Sequence, residues 1–342
     1  MLRAKAVLGA VAGPYIRRLT RESARVLMYH RFGGPGDFRR LELAIFEQQM
    51  AYLKKNFRPM ALVELARRLN NSEGLPDRSV VVTVDDGYAD FCRIAAPVLA
   101  RHEIPATLFV VSDFIDRKLW LWYDAIHYLV HAANRDGVSL NLGGRRETVR
   151  LMDRTGRNRL WEKIADDVLP LSMQAKWARI EELASDLAVT LPQVPTPEYE
   201  AAHWEELRQL DPKWFDVGCH TKSHAILSQC DKQELCVELE NSKNAIEDRL
   251  ERAVRSFCYP NGQRNDYDDR CVQAVRAAGY ECAVVAHGGL VRANADPYRI
   301  ERFSPSTALT AFRNELNGIP ELRSRLAVVL GVSPSTPDID AN

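Results

Sequence analysis

Two adjacent aspartates, Asp85 and Asp86, follow directly on the apolar run 80–84. The run is β-branched and lacks polar alternation, which predicts a strand covered on both faces by helices. Adjacent carboxylates repel each other and are costly to desolvate, so a pair is tolerated where it stays in water or where one member meets a cation. An Asp-Gly turn would explain these residues without any function, whereas a cation site would give the pair a chemical role.

Two histidines, His220 and His224, lie four residues apart directly after the apolar run 214–219. On a helical turn this spacing projects both imidazoles from one face, and neutral imidazole is a common zinc ligand. The spacing alone is a weak signal. Combined with a carboxylate from another strand end, it predicts a site with two histidines, one carboxylate and positions open to water. A second carboxylate could then accept a proton.

The elements that would position these residues alternate along the chain. Apolar runs at 25–30, 79–87, 106–111, 214–220, 255–260 and 280–287 predict strands, and segments 43–56, 62–70, 89–102, 231–250 and 267–278 predict helices. This alternation predicts βα units around a parallel sheet, in which polar strand-end residues share one edge. The residues expected there are His30, Asp85, Asp86, His220, Pro260 and Asn261.

One long segment, residues 113–202, interrupts this alternation after the third predicted strand. It contains helical patterns at 157–168 and 172–187 but no apolar runs comparable to the other strands. We interpret it as a helical insertion that covers the open edge of the fold and shapes substrate specificity.

Charge and cysteine content exclude some classes of function. The 342 residues include 46 basic and 46 acidic side chains, so no overall field indicates nucleic-acid binding. The seven cysteines include no CxxC pair, which argues against a disulfide framework and against a thiolate zinc site. A reducing cytoplasm is the expected location, and the sequence does not indicate an oligomeric state.

The two termini are predicted to lie outside the main domain, which we place at residues 25–315. Residues 1–24 form a basic pattern with apolar positions near helical spacing, which predicts an amphipathic helix. Such a helix could pack on its own domain or lie peripherally on the inner face of a membrane. Residues 316–342 predict a C-terminal helix followed by a disordered tail.

Three motifs resemble those of a known family, in the same order. T-V-D-D-G at 83–87, H-T-K-S-H at 220–224 and Y-P-N-G at 259–262 resemble the polysaccharide deacetylases, carbohydrate esterase family 4, with the NodB homology domain. L-M-Y-H-R-F at 27–32 and D-P-Y-R-I-E-R-F-S-P at 296–305 resemble the flanking segments of a subgroup that begins with a Tyr-His strand. The resemblance does not extend into the insertion.

The resemblance implies an α/β fold, a distorted (β/α) barrel that carries the helical insertion. It also implies a metal-dependent hydrolase that removes N-acetyl groups from N-acetylhexosamine units of a glycan, with a divalent metal that is usually Zn²⁺. Two alternatives stay open on the sequence: an O-acetyl esterase or other deacylase on the same scaffold, and a non-catalytic glycan-binding relative.

The motifs also imply roles for individual residues. By this resemblance Asp85 is the general base, and Asp86, His220 and His224 are the metal ligands. The backbone N–H of Asn261 is then the donor that stabilises negative charge on the acetyl oxygen.

Two departures from the family pattern predict compensating residues. Cys258 stands where the family often has an arginine that pairs with the catalytic aspartate, and no histidine follows Val291 to serve as general acid. We expect His30, or alternatively His287, to supply the acid. Arg299 and Arg302 are three residues apart and would point to opposite faces of an extended strand, so only one can face the site. We predict that Arg302 pairs with Asp85.

Aromatic residues supply candidate sugar contacts. We expect Tyr88 and Tyr259 beside the motifs, and Trp120, Trp122 and Tyr123 at the start of the insertion, to bind substrate, although core packing would explain each of them. Trp161 and Trp177 lie on predicted helices and are expected to be core residues.

Overall fold

Parallel strands joined by helices form the main sheet. The computed structural model describes residues 20, 22–35, 37–134, 137–151 and 153–319. The strands in these ranges are β1 Ser23–Tyr29, β2 Phe32–Gly33, β3 Leu41–Glu42, β4 Arg58–Pro59, β5 Ser79–Val84, β6 Ala106–Val110, β7 Gly137–Leu142, β8 Arg145–Arg150, β9 Phe215–Cys219, β10 Ser256–Cys258, β11 Cys282–Val284 and β12 Val291–Arg292. The α-helices are α1 Leu43–Asn56, α2 Leu62–Asn70, α3 Ala96–Arg101, α4 Ser112–Ile115, α5 Trp122–Ala132, α6 Arg154–Val168, α7 Met173–Leu187, α8 Trp204–Arg208, α9 Lys232–Cys236, α10 Ser242–Leu250, α11 Asp269–Ala277 and α12 Leu309–Leu316.

The strand order brings the predicted strand-end residues to one rim. Neighbouring strands run in the order β11-β10-β9-β6-β5-β1-β12, and β4 pairs with β5 beside this path. Each pair is parallel except β1 with β12. In this register Tyr29 lies opposite Val84 and Val84 lies opposite Leu108, so the residues that follow β1, β5 and β6 emerge at the same level.

Residues 300–303 connect the two sides of the sheet and close it into a distorted barrel. Ile300 bridges to Val284 of β11, and Phe303 bridges to Leu27 of β1, both in parallel. The backbone N–H of Val285 donates to the Ile300 carbonyl over 3.0 Å, and that of Phe303 donates to the Val26 carbonyl over 3.1 Å. The terminal strand predicted in 296–305 is therefore observed only as two isolated bridges. Ile300 pairs with β11 and Phe303 pairs with β1, each at a single position.

The core has two layers because each strand buries side chains on both faces. Val81 packs in a cluster with Phe109, Val284 and Ile300, one residue from each of several strands, which fills the barrel interior. Leu65 of α2 belongs to the same cluster. The alternate residues of β5, Val80, Val82 and Val84, pack outward in a second cluster with residues of α1 and α3. This arrangement explains why the run 80–84 has no polar alternation.

The insertion forms its own hydrophobic cluster beside the barrel. Residues of α5, α6 and α7 pack there, with Ile126, Leu160 and Leu183 each no more than 5% exposed. The insertion also contains the antiparallel hairpin β7–β8, with Val138 opposite Val149. This hairpin was missed in the sequence, although β7 reads GVSLNL with alternating apolar residues and is followed by Gly143 and Gly144; β8 reads RRETVR and is mostly exposed.

The termini are described only in part. Residues 1–19 and 320–342 lie outside the described residues, so the amphipathic helix and the disordered tail stay predictions. Ser23 and Ala24, which we had placed at the end of the N-terminal helix, belong to β1. Helix α12 ends at Leu316, where the C-terminal helix was expected to begin. Among the described residues, no helix has the length and hydropathy needed to cross a membrane.

Candidate active site

A cavity of about 560 Å³ opens at the carboxyl rim of the barrel. Its lining includes the strand-end residues that the sequence indicated: His30, Asp85, Asp86, His220, His224, Tyr259 and Asn261. Residues from five segments of the chain meet here, since β1, β5, β9, β10 and residues 300–303 all end at this rim. Carboxyl rims of parallel barrels are where catalytic residues gather.

Asp86, His220 and His224 form a buried group that could hold a metal ion. Their ligand atoms lie within 4.8 Å of one another. Nε2 of His220 and Nε2 of His224 are each 3.6 Å from Oδ1 of Asp86. Tetrahedral Zn²⁺ has ligand distances of about 2.0–2.2 Å, which separates ligand atoms by roughly 3.3–3.6 Å, so the donor spacing fits.

Burial favours the neutral form of both imidazoles, and a hydrogen bond orients that of His220. Nδ1 of His220 bonds to the carbonyl of Cys258 at 2.8 Å, which leaves Nε2 free to face Asp86. Burial lowers the pKa of His220, and burial together with the neighbouring His220 lowers the pKa of His224 to about 3. A neutral imidazole has the lone pair that a metal requires.

The two histidines lie on a loop and not on a helical turn as predicted. Residues 220–224 have no helical conformation, and Thr221 and His224 have positive φ angles of 65° and 63°. The loop is held by Glu238, whose carboxylate accepts the backbone N–H groups of Lys222 at 2.8 Å and Ser223 at 2.9 Å. The spacing therefore indicated the right pair of residues for the wrong geometric reason.

Asp85 is paired with a buried arginine, as predicted. Nη1 of Arg302 donates to Oδ1 of Asp85 and Nη2 donates to Oδ2, both over 2.7 Å. Nη1 of Arg302 also donates to Thr83 Oγ1 over 2.9 Å. Ile300 and Arg302 both point into the barrel because alternate residues of an extended segment share a face. Arg299 points outward and pairs with Asp269 and Asp296.

Cys258 completes the environment of this ion pair. Its Sγ lies 3.4 Å from Oδ2 of Asp85 and accepts a bond from Nη2 of Arg302 at 3.1 Å. Burial alone would raise the pKa of Asp85, but the charge and hydrogen bonds of Arg302 outweigh it and hold that pKa well below its usual range. The third motif lacks the arginine that the family often has there. Arg302 supplies a guanidinium to Asp85 in its place, and the Cys258 thiol occupies the position of the missing arginine.

Comparison with known proteins identifies the family of this chain. A family model described as polysaccharide deacetylase matches residues 72–158 and 187–283, which together form more than half of the chain. The chain belongs to the polysaccharide deacetylase family. This is a family of hydrolases that act on carbon–nitrogen bonds other than peptide bonds. The match does not include residues 27–32, so the narrower resemblance to the Tyr-His subgroup stays a prediction.

Two curated relatives match part of the chain. YxkH of Bacillus subtilis (strain 168), named for the same family, is 31% identical over 94 residues, which are 27% of this chain and 33% of YxkH. The poly-β-1,6-N-acetyl-D-glucosamine N-deacetylase of Escherichia coli (strain K12) is 28% identical over 80 residues, which are 23% of this chain and 12% of that enzyme. The alignments thus span no more than about a third of either relative.

Solved structures share the fold over most of the chain. The deacetylase PplD of Streptococcus pyogenes is 17% identical, with a TM-score of 0.57 over 87% of this chain and 99% of PplD. IcaB from Ammonifex degensii is 18% identical, with a TM-score of 0.54 over 85% of this chain and 97% of IcaB. These likenesses confirm the predicted barrel of the polysaccharide deacetylase type.

Replacing Arg302 with lysine in this polysaccharide deacetylase is expected to lower kcat by about 10- to 100-fold, the range typical for loss of an outer-shell partner. Lysine keeps the positive charge but cannot donate two parallel hydrogen bonds to Asp85. Metal content should stay unchanged. Arg299→Lys is the matched control, since Arg299 lies on the same segment but faces outward. Wild-type rates in both Arg302→Lys and Arg302→Ala would show that the pair does not orient Asp85.

Of the two candidate acid histidines, His30 lies at the site. Its side chain is 46% exposed and its Nε2 is 4.0 Å from Oδ2 of Asp85. His287 does not line the cavity, and its Nε2 bonds to the hydroxyl of Tyr267 at 2.9 Å. The geometry therefore favours His30 for the acid role.

Asn261 lies in a tight turn at the cavity wall. It has a positive φ of 57°, and the backbone N–H of Gly262 donates to the Pro260 carbonyl over 2.6 Å. Gly262 also has a positive φ of 62°, and a Cβ there would come within 2.7 Å of the Ala286 backbone nitrogen. Glycine at 262 is thus needed for the turn that presents Asn261.

The structure separates the aromatic candidates. Tyr88, Tyr259, Trp122 and Tyr123 line the cavity, although Trp122 is 5% exposed and packs in the insertion core, so their role as substrate contacts stays a prediction. Tyr88 and Tyr259 are each 1% exposed, so they present little surface to a ligand.

One tryptophan was assigned to the wrong place. Trp120 does not line the cavity; it is 3% exposed, packs against Tyr128 and Tyr199, and donates its indole N–H to the Pro192 carbonyl over 2.8 Å. It is a core residue of the insertion. Trp161 packs against the insertion core, as expected, and also lines the cavity. Trp177 packs against the insertion core, as expected.

A polar network between the insertion and the D-D-G motif was missed from the sequence. The hydroxyl of Tyr88 donates to Oδ2 of Asp124 over 2.5 Å, and the Arg31 guanidinium lies 4.1 Å from the Tyr88 ring centroid. Arg39 lies 3.4 Å from Oδ1 of Asp124. Burial raises the pKa of Asp124 to about 6 against the lowering influence of Arg31. In the sequence, the only signal of this network was an aspartate, Asp124, near the start of the insertion.

The far end of the insertion also binds the motif loop. The backbone N–H of Ala202 donates to the Gly87 carbonyl over 2.9 Å, and that of Ala89 donates to the Glu200 carbonyl over 3.0 Å. Tyr88 and Ala201 form an antiparallel bridge between these bonds. The loop that carries Asp85 and Asp86 is therefore held from both ends of the insertion.

Proposed function

We propose that this polysaccharide deacetylase removes N-acetyl groups from N-acetylhexosamine units of a glycan, using a divalent metal held by Asp86, His220 and His224. The observation that carries the proposal is the buried metal-ligand group directly beside an arginine-paired second carboxylate, Asp85. A binding module has no need of a spare carboxylate next to its metal. Two imidazoles and one carboxylate favour Zn²⁺, with a position open for water.

A bound divalent metal would polarise the acetyl carbonyl and acidify water at the site. Asp85 accepts the proton of the attacking water, and the two bonds from Arg302 fix the carboxylate plane. The backbone N–H of Asn261 donates to the acetyl oxygen as negative charge develops there. His30, on the Oδ2 side of Asp85, donates a proton to the departing amine. Acetate and a free amino sugar are the products.

The name of the Escherichia coli relative guides the choice of substrate to test. That enzyme is named as acting on poly-β-1,6-N-acetyl-D-glucosamine. We infer that a β-linked N-acetylglucosamine polymer or oligomer is the substrate of this chain. The cavity of about 560 Å³ is large enough for more than one sugar unit.

Acetate release from β-1,6- and β-1,4-linked N-acetylglucosamine oligomers tests the proposal. The protein is stripped with a chelator and assayed before and after adding one equivalent of Zn²⁺; acetate should appear only after the metal is restored. An O-acetylated oligosaccharide serves as the comparison substrate. Release from that substrate alone would identify an esterase, and release from none of the substrates would contradict a catalytic role.

A further inference from the structure

The cavity extends from the metal ligands to a wall built largely by the insertion. Phe38, Trp161, Ala165 and Asp166 line this end. The Phe38 ring is 48% exposed and its centroid lies 5.8 Å from that of Trp161, at an interplanar angle of 66°. We call these four residues the aromatic wall. A large apolar side chain this exposed inside a cavity indicates a ligand contact.

The aromatic wall is preorganised. The indole N–H of Trp161 donates to the Tyr123 carbonyl over 2.8 Å, which fixes the ring plane. Trp161 and Ala165 lie one turn apart on α6, so they share a helix face. Because the Ala165 side chain is small, it leaves part of the cavity open between the Trp161 indole and Asp166. Aromatic rings of this kind stack on the apolar faces of pyranose rings.

Asp166 gives the aromatic wall a negative charge. Its side chain is exposed to the cavity, and it has no ion pair or hydrogen bond to any other residue in the described ranges. Arg31, Arg39 and Arg40 face the carboxylates of Asp37, Asp90, Asp124 and Glu198, although Nη1 of Arg31 and Nε of Arg39 have no hydrogen-bond partner among the described residues. The carboxylate of Asp166, which lines the cavity beside the two aromatic rings, is therefore the group on the aromatic wall that can attract a cation.

We propose that the aromatic wall is a subsite for a hexosamine unit that carries a free ammonium group, next to the N-acetylated unit at the metal. The ammonium pairs with the Asp166 carboxylate, and the ring and its charge lie against Trp161 and Phe38. Because deacetylation itself produces this ammonium, partly deacetylated chains are the preferred substrate class. The inference rests on the proposed function and extends it.

Binding of a product-like ligand tests the subsite without turnover. The probe is the fully deacetylated β-1,6-linked glucosamine trimer, titrated calorimetrically into zinc-loaded protein. Asp166→Asn should weaken its affinity by about five- to tenfold, between the effect of an exposed ion pair and that of a buried charge-assisted hydrogen bond. Raising the ionic strength should weaken wild-type binding and reduce the difference. Asp167→Asn is the matched control, since Asp167 lies next in sequence but accepts the backbone N–H of Gly143 over 2.7 Å.

Kinetics then separate this inference from the proposed function. The quantity measured is the ratio of kcat/KM for a singly deacetylated trimer to kcat/KM for the fully acetylated trimer. We expect a ratio above about five in wild type and near one in Asp166→Asn. A wild-type ratio of one with acetate released from both trimers overturns the subsite alone. Absence of acetate from both overturns the proposed function, and the calorimetric comparison still decides the subsite: equal affinities in wild type and Asp166→Asn overturn it.

Discussion

Alanine at His220 or at His224 is expected to remove the bound metal and, with it, most of the acetate-releasing activity. In the proposed metal site each imidazole supplies one of three ligands, with its Nε2 3.6 Å from Oδ1 of Asp86. Loss of an outer-shell partner typically costs about 10- to 100-fold in affinity or activity, so loss of a direct ligand should cost more. Both variants should behave alike, because neither remaining pair of ligands closes the site.

The measurement is metal content per chain by mass spectrometry, together with kcat and a thermal melt. Wild type should hold about one divalent ion per chain, as a single set of ligands requires. His102→Ala is the control. His102 is the C-cap residue of α3 and does not line the cavity. Unchanged metal content in both His220→Ala and His224→Ala would mean that the ligands are assigned incorrectly.

Asparagine at Asp85 is expected to lower kcat by about 10²- to 10⁴-fold while metal is retained. The amide has nearly the same shape as the carboxylate but cannot take up the proton. It also leaves Arg302, which is 1% exposed, without a full counter-charge. Removing one partner of a buried ion pair typically costs about 3–5 kcal/mol, so Asp85→Asn should also lower the free energy of unfolding.

Asp86→Asn is the paired variant for this experiment. It should lose metal, whereas Asp85→Asn should keep it, and metal content and kcat measured on both separate the two roles. The melting temperature of each variant shows whether it is folded at the assay temperature. Metal loss in Asp85→Asn with retention in Asp86→Asn would mean that the roles of base and ligand are exchanged.

Regular elements of the barrel could be predicted from local pattern. The helices predicted at 43–56 and 62–70 are observed with the same bounds, because their apolar residues recur at helical spacing. The inward direction of Arg302 followed from alternation along an extended segment, which holds even though only Ile300 and Phe303 make bridges. Where the local period decides the direction of a side chain, the sequence was sufficient.

The predictions that failed concern contacts between segments that are distant in sequence. His220 and His224 converge because a left-handed turn and Glu238 shape their loop, which the four-residue spacing does not encode. Trp120 was misplaced because the tertiary fold of the insertion packs its ring against Tyr128 and Tyr199 and not against the cavity. Asp124 pairs with a hydroxyl 36 positions away, a distance over which no periodic pattern carries information.

The bridging segment 300–303 also sets when the site can become competent during synthesis. The ligands Asp86, His220 and His224 all precede it, so a nascent chain can assemble the metal group while residue 302 is still inside the ribosome. Asp85 stays without its arginine until this segment has emerged and joined β11 to β1. Contacts that span 217 positions are slow to form because the intervening loop must first be closed. We therefore expect a chain cut short before residue 302 to lack hydrolytic activity, because its Asp85 would have no arginine partner.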